Sequence, residues 1–308
     1  MTHRPHATHQ QRAFFHSALG FLHRHQPQLA KKFLTDLADA ARDGQVEQSG
    51  SHVRLFVQRL EWDSRFFICP VYRLEFSDWE EDVPNPANVL AMTLKELKQA
   101  LSARHAQYYL FAEVPSEDIV MLQALGLAGL RLIETRLTYF RDDLGQFSCP
   151  ERFKVRLATA ADIPNLRQVA MEARNHYDRY HADPFFQTAL ADEYLATFIE
   201  NSVKGFADVV LVPDDDALKP GAFFTADLLP AKTSLPEINI GRIVLVAVGT
   251  ERRGWHLRLM SEMSYWFQEQ RVQLAYMTTQ STNRAVIRNC EKLGYRYGRS
   301  THIFATHG

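Results

Sequence analysis

Six apolar residues in a row, Ile243-Val244-Leu245-Val246-Ala247-Val248, lead into the polar turn Gly249-Thr250-Glu251-Arg252-Arg253-Gly254 and then into a long helical pattern. An unbroken apolar run bounded by turn residues reads as a buried strand. The stretch 254–269 that follows puts Leu259, Met263 and Trp266 on one helical face. A strand that feeds a helix through a short turn is the building block of α/β sheets. The turn also carries chemistry. Its amide groups are the unsatisfied donors of the following helix, and the helix dipole adds partial positive charge there. Such a terminus suits an anion, a diphosphate above all. Arg252 and Arg253 add charge-assisted donors, or else are two solvated arginines on an ordinary strand-to-helix turn. No Gly-Lys-Ser/Thr follows, so the turn is not a P-loop.

The same alternation fills the second half. Strands are expected at 154–157, 208–212, 221–228, 237–248, 274–279 and 301–306, with helices at 187–203 and 283–293. A further helix is opened by Thr159-Ala160-Ala161-Asp162, which resembles a capping box with Asp in place of Glu, and it buries Ile163, Leu166 and Ala170. In the first half, strand patterns at 53–57, 108–114 and 134–140 bracket helices at 93–104 and 116–124, and 142–150 reads as a linker. The first fifty residues are helical, with Leu29, Phe33, Leu37 and Ala41 on one face and Arg42-Asp43-Gly44 as a stop. The domains read as 1–50, a helical extension, then 51–147 and 152–308.

Composition narrows the partners. The chain has 308 residues, 46% of them hydrophobic, and 35 Lys+Arg against 36 Asp+Glu leave a formal charge of −1. No basic excess points to nucleic acid or an anionic membrane. No apolar run reaches the roughly 18–20 residues needed to cross a bilayer, and no secretory signal pattern opens the chain. Cys69, Cys149 and Cys290 are scattered and odd in number, which fits reduced thiols in a cytoplasm. His3, His6, His9, His16, His23 and His25 crowd the N-terminus. None forms an i, i+4 pair around a carboxylate, and no metal is expected.

One segment echoes another. Pro115-Ser116-Glu117-Asp118, then Leu125-Gly126-Leu127 and Glu134–Phe140 parallel Ser281-Thr282-Asn283, then Leu293-Gly294-Tyr295 and Ser300–Phe304. The pattern reads as a degenerate duplication, a partial copy of the second domain's fold in the first.

The turn at 249–254 taken with Asn283-Arg284-Ala285-Val286-Ile287-Arg288-Asn289-Cys290-Glu291-Lys292-Leu293-Gly294-Tyr295 resembles the GNAT superfamily of acetyl-CoA-dependent N-acetyltransferases. In that family a Gln/Arg-x-x-Gly-x-Gly/Ala turn holds the CoA pyrophosphate. A later Asn-x-x-Ala-x-x-x-Tyr-x-Lys-x-Gly-Phe-like helix borders the cofactor. Leu60-Glu61-Trp62-Asp63-Ser64-Arg65-Phe66-Phe67, Asp178–Phe185 and Thr279-Gln280-Ser281-Thr282-Asn283 are similar to the branch that acetylates dTDP-fucosamine, a dTDP-linked amino-deoxy sugar. The chain departs from these patterns at Glu251, where Gln or Arg is usual, at His256, where Gly or Ala stands, and at Ile68, where Gly tends to follow the aromatic pair.

The resemblance implies an α/β fold, a GNAT-like mixed central sheet flanked by helices, preceded by a smaller degenerate GNAT-like domain. It implies acetyl-CoA as co-substrate, a nucleotide-sugar acceptor and a cytoplasmic setting, with a homodimer left open. Leu245, Val246, Val248, Arg252, Arg253, Gly254, Trp255, His256 and Asn283 would hold the cofactor, and Leu245 and Val246 amides would bind the carbonyl oxygen. Arg179, His181, Asp183 and Arg242 would hold the acceptor, and Glu237 would act as base. Cys290 stands where the family carries a tyrosine that protonates departing CoA. It is a packed core thiol, that acid, or a nucleophile. Two rivals remain: another small amine or a peptide N-terminus as acceptor, and a catalytically degenerate domain that only binds a ligand.

Overall fold

The computed structural model describes residues 7–49, 53–80, 83–215, 219–229, 235 and 237–308, so His3 and His6 lie outside the described residues. The chain forms two compact units, one of Met1–Arg136 with Arg299–Gly308 and one of Leu137–Gly298.

The first unit begins with α1 (His9–His16) and α2 (Gln26–Arg42), followed by β1 (Val46–Ser49), β2 (Val53–Arg59) and the short α3 (Glu61–Phe66). Then come β3 (Val71–Trp79), α4 (Pro86–Arg104), β4 (Tyr109–Pro115), α5 (Ile119–Leu127) and the start of β5 (Arg131–Arg141). β1, β2 and β3 pair antiparallel, and β3 and β4 pair parallel. Thr301–His307 of the C-terminal strand lies antiparallel against β4. Leu55, Leu74, Leu90, Leu94, Leu110 and Leu125 form the core between sheet and helices. β3 escaped the sequence reading although Leu74 and Phe76 alternate with Arg73 and Glu75. α4 starts seven residues before the expected helix because Pro86 fits the first helical position.

The N-terminal helices are tied into this unit by buried charge. Arg12 donates to Asp118 at 3.0 and 3.1 Å and to Ser77 at 2.9 Å, and its guanidinium lies 3.6 Å from the centre of the Trp79 ring. His16 Nε2 also meets Asp118, at 2.9 Å.

The second unit contains β6 (Val155–Leu157), α6 (Ile163–Glu172), the four-residue α7 (Arg179–Ala182), α8 (Thr188–Asn201), β7 (Val209–Pro213) and β8 (Ala222–Leu229). It continues with β9 (Ile240–Val248), α9 (Trp255–Glu269), β10 (Leu274–Gln280) and α10 (Arg284–Lys292), and opens β11 (Arg296–His307). The expected capping box forms between Thr159 and Asp162. The strand order is β6-β7-β8-β9-β10, with β9 and β10 parallel and the others antiparallel. Helices cover both faces. Leu245 and Ala247 pack with Leu166, Ile199 and Val210 under α6 and α8. Ile243, Val246 and Val248 pack with Leu259, Met263 and Phe224 under α9. Burial on both faces is why the run from Ile243 to Val248 carries no polar alternation. Gly241 is a close-approach glycine, since a Cβ there would stand 2.3 Å from the Phe267 ring.

The two units repeat one design in their internal geometry. In the first, β3 and β4 pair only from Val71↔Tyr109 to Leu74↔Ala112; in the second, β9 and β10 pair only from Ile240↔Leu274 to Ile243↔Met277. Just beyond the last pair each unit has a bulge toward its antiparallel neighbour. Asp118 caps α5 by accepting the Met121 N–H, and Asn283 caps α10 by accepting the Val286 N–H. Each helix ends in the same pair of bonds, Leu130 N–H to Leu125 O with Gly129 N–H to Gly126 O, and Tyr295 N–H to Cys290 O with Gly294 N–H to Glu291 O. Gly129 and Gly294 both have positive φ. The counterpart of Gly294 is therefore Gly129 and not Gly126, which lies inside α5.

Candidate active site

β9 runs five residues past its last pairing with β10 and β10 runs three past it, so the two strands part and leave a wedge. In the same stretch β9 bulges, with Val244 and Leu245 facing the single residue Thr225 of β8. Thr225 is fully buried. Its Oγ1 accepts the Leu245 N–H at 2.9 Å and donates to Leu245 O at 3.2 Å. The hydroxyl thus replaces the ladder bonds that the bulge removes.

The alternation of the β8–β9 ladder decides which amides face the wedge. Gly249 N–H donates to Gly221 O at 2.8 Å, so Gly249 and Gly221 form a hydrogen-bonded pair. Val248 opposite Ala222 and Val246 opposite Phe224 then fall at non-hydrogen-bonded positions, with Ala247 between them bonded to β8. Val246 and Val248 point their amides away from β8, toward the parting strands. The Leu245 amide, expected to share the carbonyl site, is instead held by Thr225.

Past Val248 the chain makes a single helical turn at Thr250–Arg252 and enters α9 through Gly254, which has φ +89°. No side chain caps α9 and no acid stands in its first turn, so its leading amides remain as donors. A Cβ on Gly254 would meet nothing within 4 Å, so the glycine is there for its backbone conformation and for open space above the turn.

The side chains around this turn divide. Arg252 is buried, ion-paired to Asp215 at 2.8 Å, and set back toward the segment before β8, so it offers no free charge to a diphosphate. Arg253 is exposed and has no ion pair among the described residues. Arg258, in the first turn of α9 and exposed, lies 5.3 Å from the Trp255 ring centre. The sequence reading passed over Arg258, although its position four residues after Gly254 puts it above the turn. His256 is tucked against Phe224, ring centres 4.9 Å apart, and its Nδ1 receives the Asn289 amide at 3.0 Å. An amide NH2 can only donate, so the proton sits on Nε2, a buried donor with no partner among the described residues. Burial lowers this imidazole to about 4, so it is neutral.

Asn283 is spent as a cap, its Oδ1 accepting the Val286 N–H at 3.4 Å. Cys290 is fully buried, with Sγ 3.4 Å from Met277 Sδ and Val286, Leu293 and Tyr295 in the same core. Burial pushes its thiol up to about 12. It stays protonated and is a poor donor to a thiolate whose own pKa is near 8.5. The geometry fits the packed thiol and opposes both the acid and the nucleophile.

On the acceptor side the expected loop is a closed polar knot. Asp178 caps α7, accepting the Tyr180 and His181 amides at 2.9 and 3.0 Å, and also meets His181 Nδ1 at 2.8 Å. Asp192 takes His181 Nε2 at 3.1 Å. Burial works against the imidazolium, but the two carboxylates outweigh it and raise the pKa of His181. Arg179 is buried over the Tyr180 ring, and Asp183 is fully buried and accepts the Phe185 amide at 3.1 Å. Both ring nitrogens of His181 are thus satisfied inside the protein. Arg242 pairs with Asp227 at 2.7 Å, two residues before the bulge. Glu237 is exposed in the turn before β9, and the strand from Ile240 to Val244 alone puts about 13 Å between it and the bulge.

The first unit has the wedge without the site. Arg12 bridges Ser77, past the last pairing of β3, and Asp118 at the cap of α5, a crossing with no counterpart among the described bonds of the second unit.

Solved structures share this fold. A GCN5-related N-acetyltransferase from Sphaerobacter thermophilus is similar over 88% of this chain and 85% of its own, with TM-score 0.58 and 13% identity. A conserved protein of unknown function from Staphylococcus epidermidis is similar over 86% and 96%, with TM-score 0.55 and 14% identity. A GCN5-related N-acetyltransferase from Kribbella flavida is similar over 89% and 94%, with TM-score 0.52 and 14% identity. At these identities the likeness is one of fold. No protein-family model and no curated protein matches the sequence.

Proposed function

We propose that the second unit is an acetyl-CoA-dependent N-acetyltransferase. The observation that carries this reading is the wedge between β9 and β10 with the Val246 and Val248 amides facing it and the uncapped end of α9 beyond. The residues fit the co-substrate. The amides after Gly254, with Arg253 and Arg258, suit a diphosphate. The Val246 amide suits a carbonyl oxygen on which charge develops during acyl transfer. Acetyl-CoA supplies the activated acyl carbon, and the acceptor amine attacks it directly. An amine with a pKa near 8 is already partly neutral at pH 7, so the protein need not supply a strong base.

For the acceptor we propose the amine of a nucleotide-linked amino-deoxy sugar. Its support is the sequence resemblance, since His181 is paired with Asp178 and Asp192 and Arg179 and Asp183 are buried. Arg242 and Asp227 form an ion pair across β9 and β8, two residues before the bulge. Cys69, Cys149 and Cys290 are all unpaired thiols, in keeping with a cytoplasmic setting. Radiolabelled acetyl transfer to a panel of dTDP-, UDP- and GDP-amino sugars, a polyamine and a peptide N-terminus tests both levels. Transfer to a sugar nucleotide alone supports the full reading, transfer only to another amine replaces the acceptor, and no transfer to any of them refutes the enzyme.

A further inference from the structure

In the first unit, Ser116 follows β4 directly and stands opposite Ser300, whose carbonyl accepts the Ser116 N–H at 3.2 Å. His302 is one pleat further along β11, on the same face as Ser300. Ser116 Oγ lies 2.8 Å from His302 Nε2 and 2.6 Å from Ser300 Oγ. On the other side of the ring, His302 Nδ1 lies 3.1 Å from Thr135 Oγ1 on β5. With Nδ1–H donating to Thr135, Nε2 is left as a lone pair that accepts the Ser116 hydroxyl proton. All four residues are half-buried and open to solvent. Burial lowers His302 from the ordinary histidine value, which keeps it in the neutral form that a base requires.

A hydroxyl held by an imidazole, which is held in turn by a third group, is the arrangement of an activated serine. The pleat fixes the pair, because residues 300 and 302 of one strand and residue 116 beyond its neighbour must share a face. The acetyl-transfer reading uses none of these residues.

We propose that Ser116, His302 and Thr135 form an acyl-accepting site that hydrolyses small activated acyl esters. Ser116 Oγ attacks the ester carbonyl carbon while its proton passes to His302 Nε2. The bond to the leaving oxygen breaks, and the leaving group takes that proton, which leaves Ser116 esterified. Water then attacks the acyl-serine, gives one proton to Nε2, and releases the carboxylic acid as Ser116 regains its proton.

The test is hydrolysis of p-nitrophenyl acetate by the full chain, together with phenylmethylsulfonyl fluoride labelling located by peptide mass mapping. The site predicts a sulfonyl adduct on Ser116 and hydrolysis lost in Ser116→Ala. His302→Gln, which keeps a hydrogen bond but no base, should slow hydrolysis by about 10²-fold or more. A Ser116→Ala protein with the parent's rate, or a parent with no adduct on Ser116, overturns the proposal. The labelling uses the unaltered chain, so the test survives a variant that fails to fold. A lower melting temperature in Ser116→Ala with an unchanged rate would assign the hydroxyl to strand pairing alone.

Discussion

Replacing Thr225 with Val keeps the shape of the side chain and removes the hydroxyl that holds the β9 bulge. Two bonds go at once, from Leu245 N–H and to Leu245 O, and the Thr225 side chain that makes them is fully buried. Each is worth about 0.5–1.5 kcal/mol, and a buried amide left without a partner costs about 1–3 kcal/mol. A total of about 3 kcal/mol corresponds to a fall in melting temperature of about 6–12 °C for a unit of this size. If the bulge relaxes, the Val246 amide is no longer aimed into the wedge. Loss of one such donor typically costs about 10²–10³-fold in kcat. The KM for acetyl-CoA should stay within about twofold, because the diphosphate grip is on the amides after Gly254, beyond the bulge. Thr225→Ser restores the hydroxyl and should recover most of kcat. Differential scanning fluorimetry and steady-state acetyl transfer read the two effects. A Val variant with the parent's melting temperature and kcat would refute the argument that Thr225 sets the bulge.

Gly254→Asp strains the positive-φ turn and puts an anion at the α9 terminus, and it should raise the acetyl-CoA KM tenfold or more, about 1.4 kcal/mol. Cys290→Ala should cost about 1–2 kcal/mol of stability as a small cavity and leave kcat unchanged in steady-state assays. Arg12→Ala leaves Asp118 buried without its main counter-charge and should destabilise the first unit by about 3–5 kcal/mol, seen as early proteolysis within residues 7–136. His181 has a raised folded pKa, so the stability from its pairs with Asp178 and Asp192 is complete below about pH 6.5 and is lost as pH climbs through the raised value. Melting curves from pH 5.5 to 9 should show that loss in the parent and not in His181→Asn.

The elements of the second unit were legible because apolar runs, glycines and caps act locally. Thr159 with Asp162 and the glycine at 254 announce their helices from their neighbours alone. The bulge and the wedge have no such signature. They arise where Thr225 meets Leu245, and nothing in either segment marks the encounter. Arg252 looked available because Asp215 is distant in sequence, and His181 looked like part of an open loop because Asp192 lies on the next helix. The duplication was visible in the sequence but was set on the wrong glycine. Gly126 and Gly129 are alike as letters, and only the backbone conformation separates them. The bridge in the first unit joins Arg12 to residues on β3 and α5, a pairing that no local pattern records.

On the proposed function, only the wedge in the second unit takes acetyl-CoA. Isothermal titration of the full chain with acetyl-CoA tests it most directly. The expected result is a saturable heat with one site per chain, abolished or weakened at least tenfold in Gly254→Asp. Two sites per chain, or an unaltered isotherm in a folded Gly254→Asp protein, would contradict it, as would no binding at all.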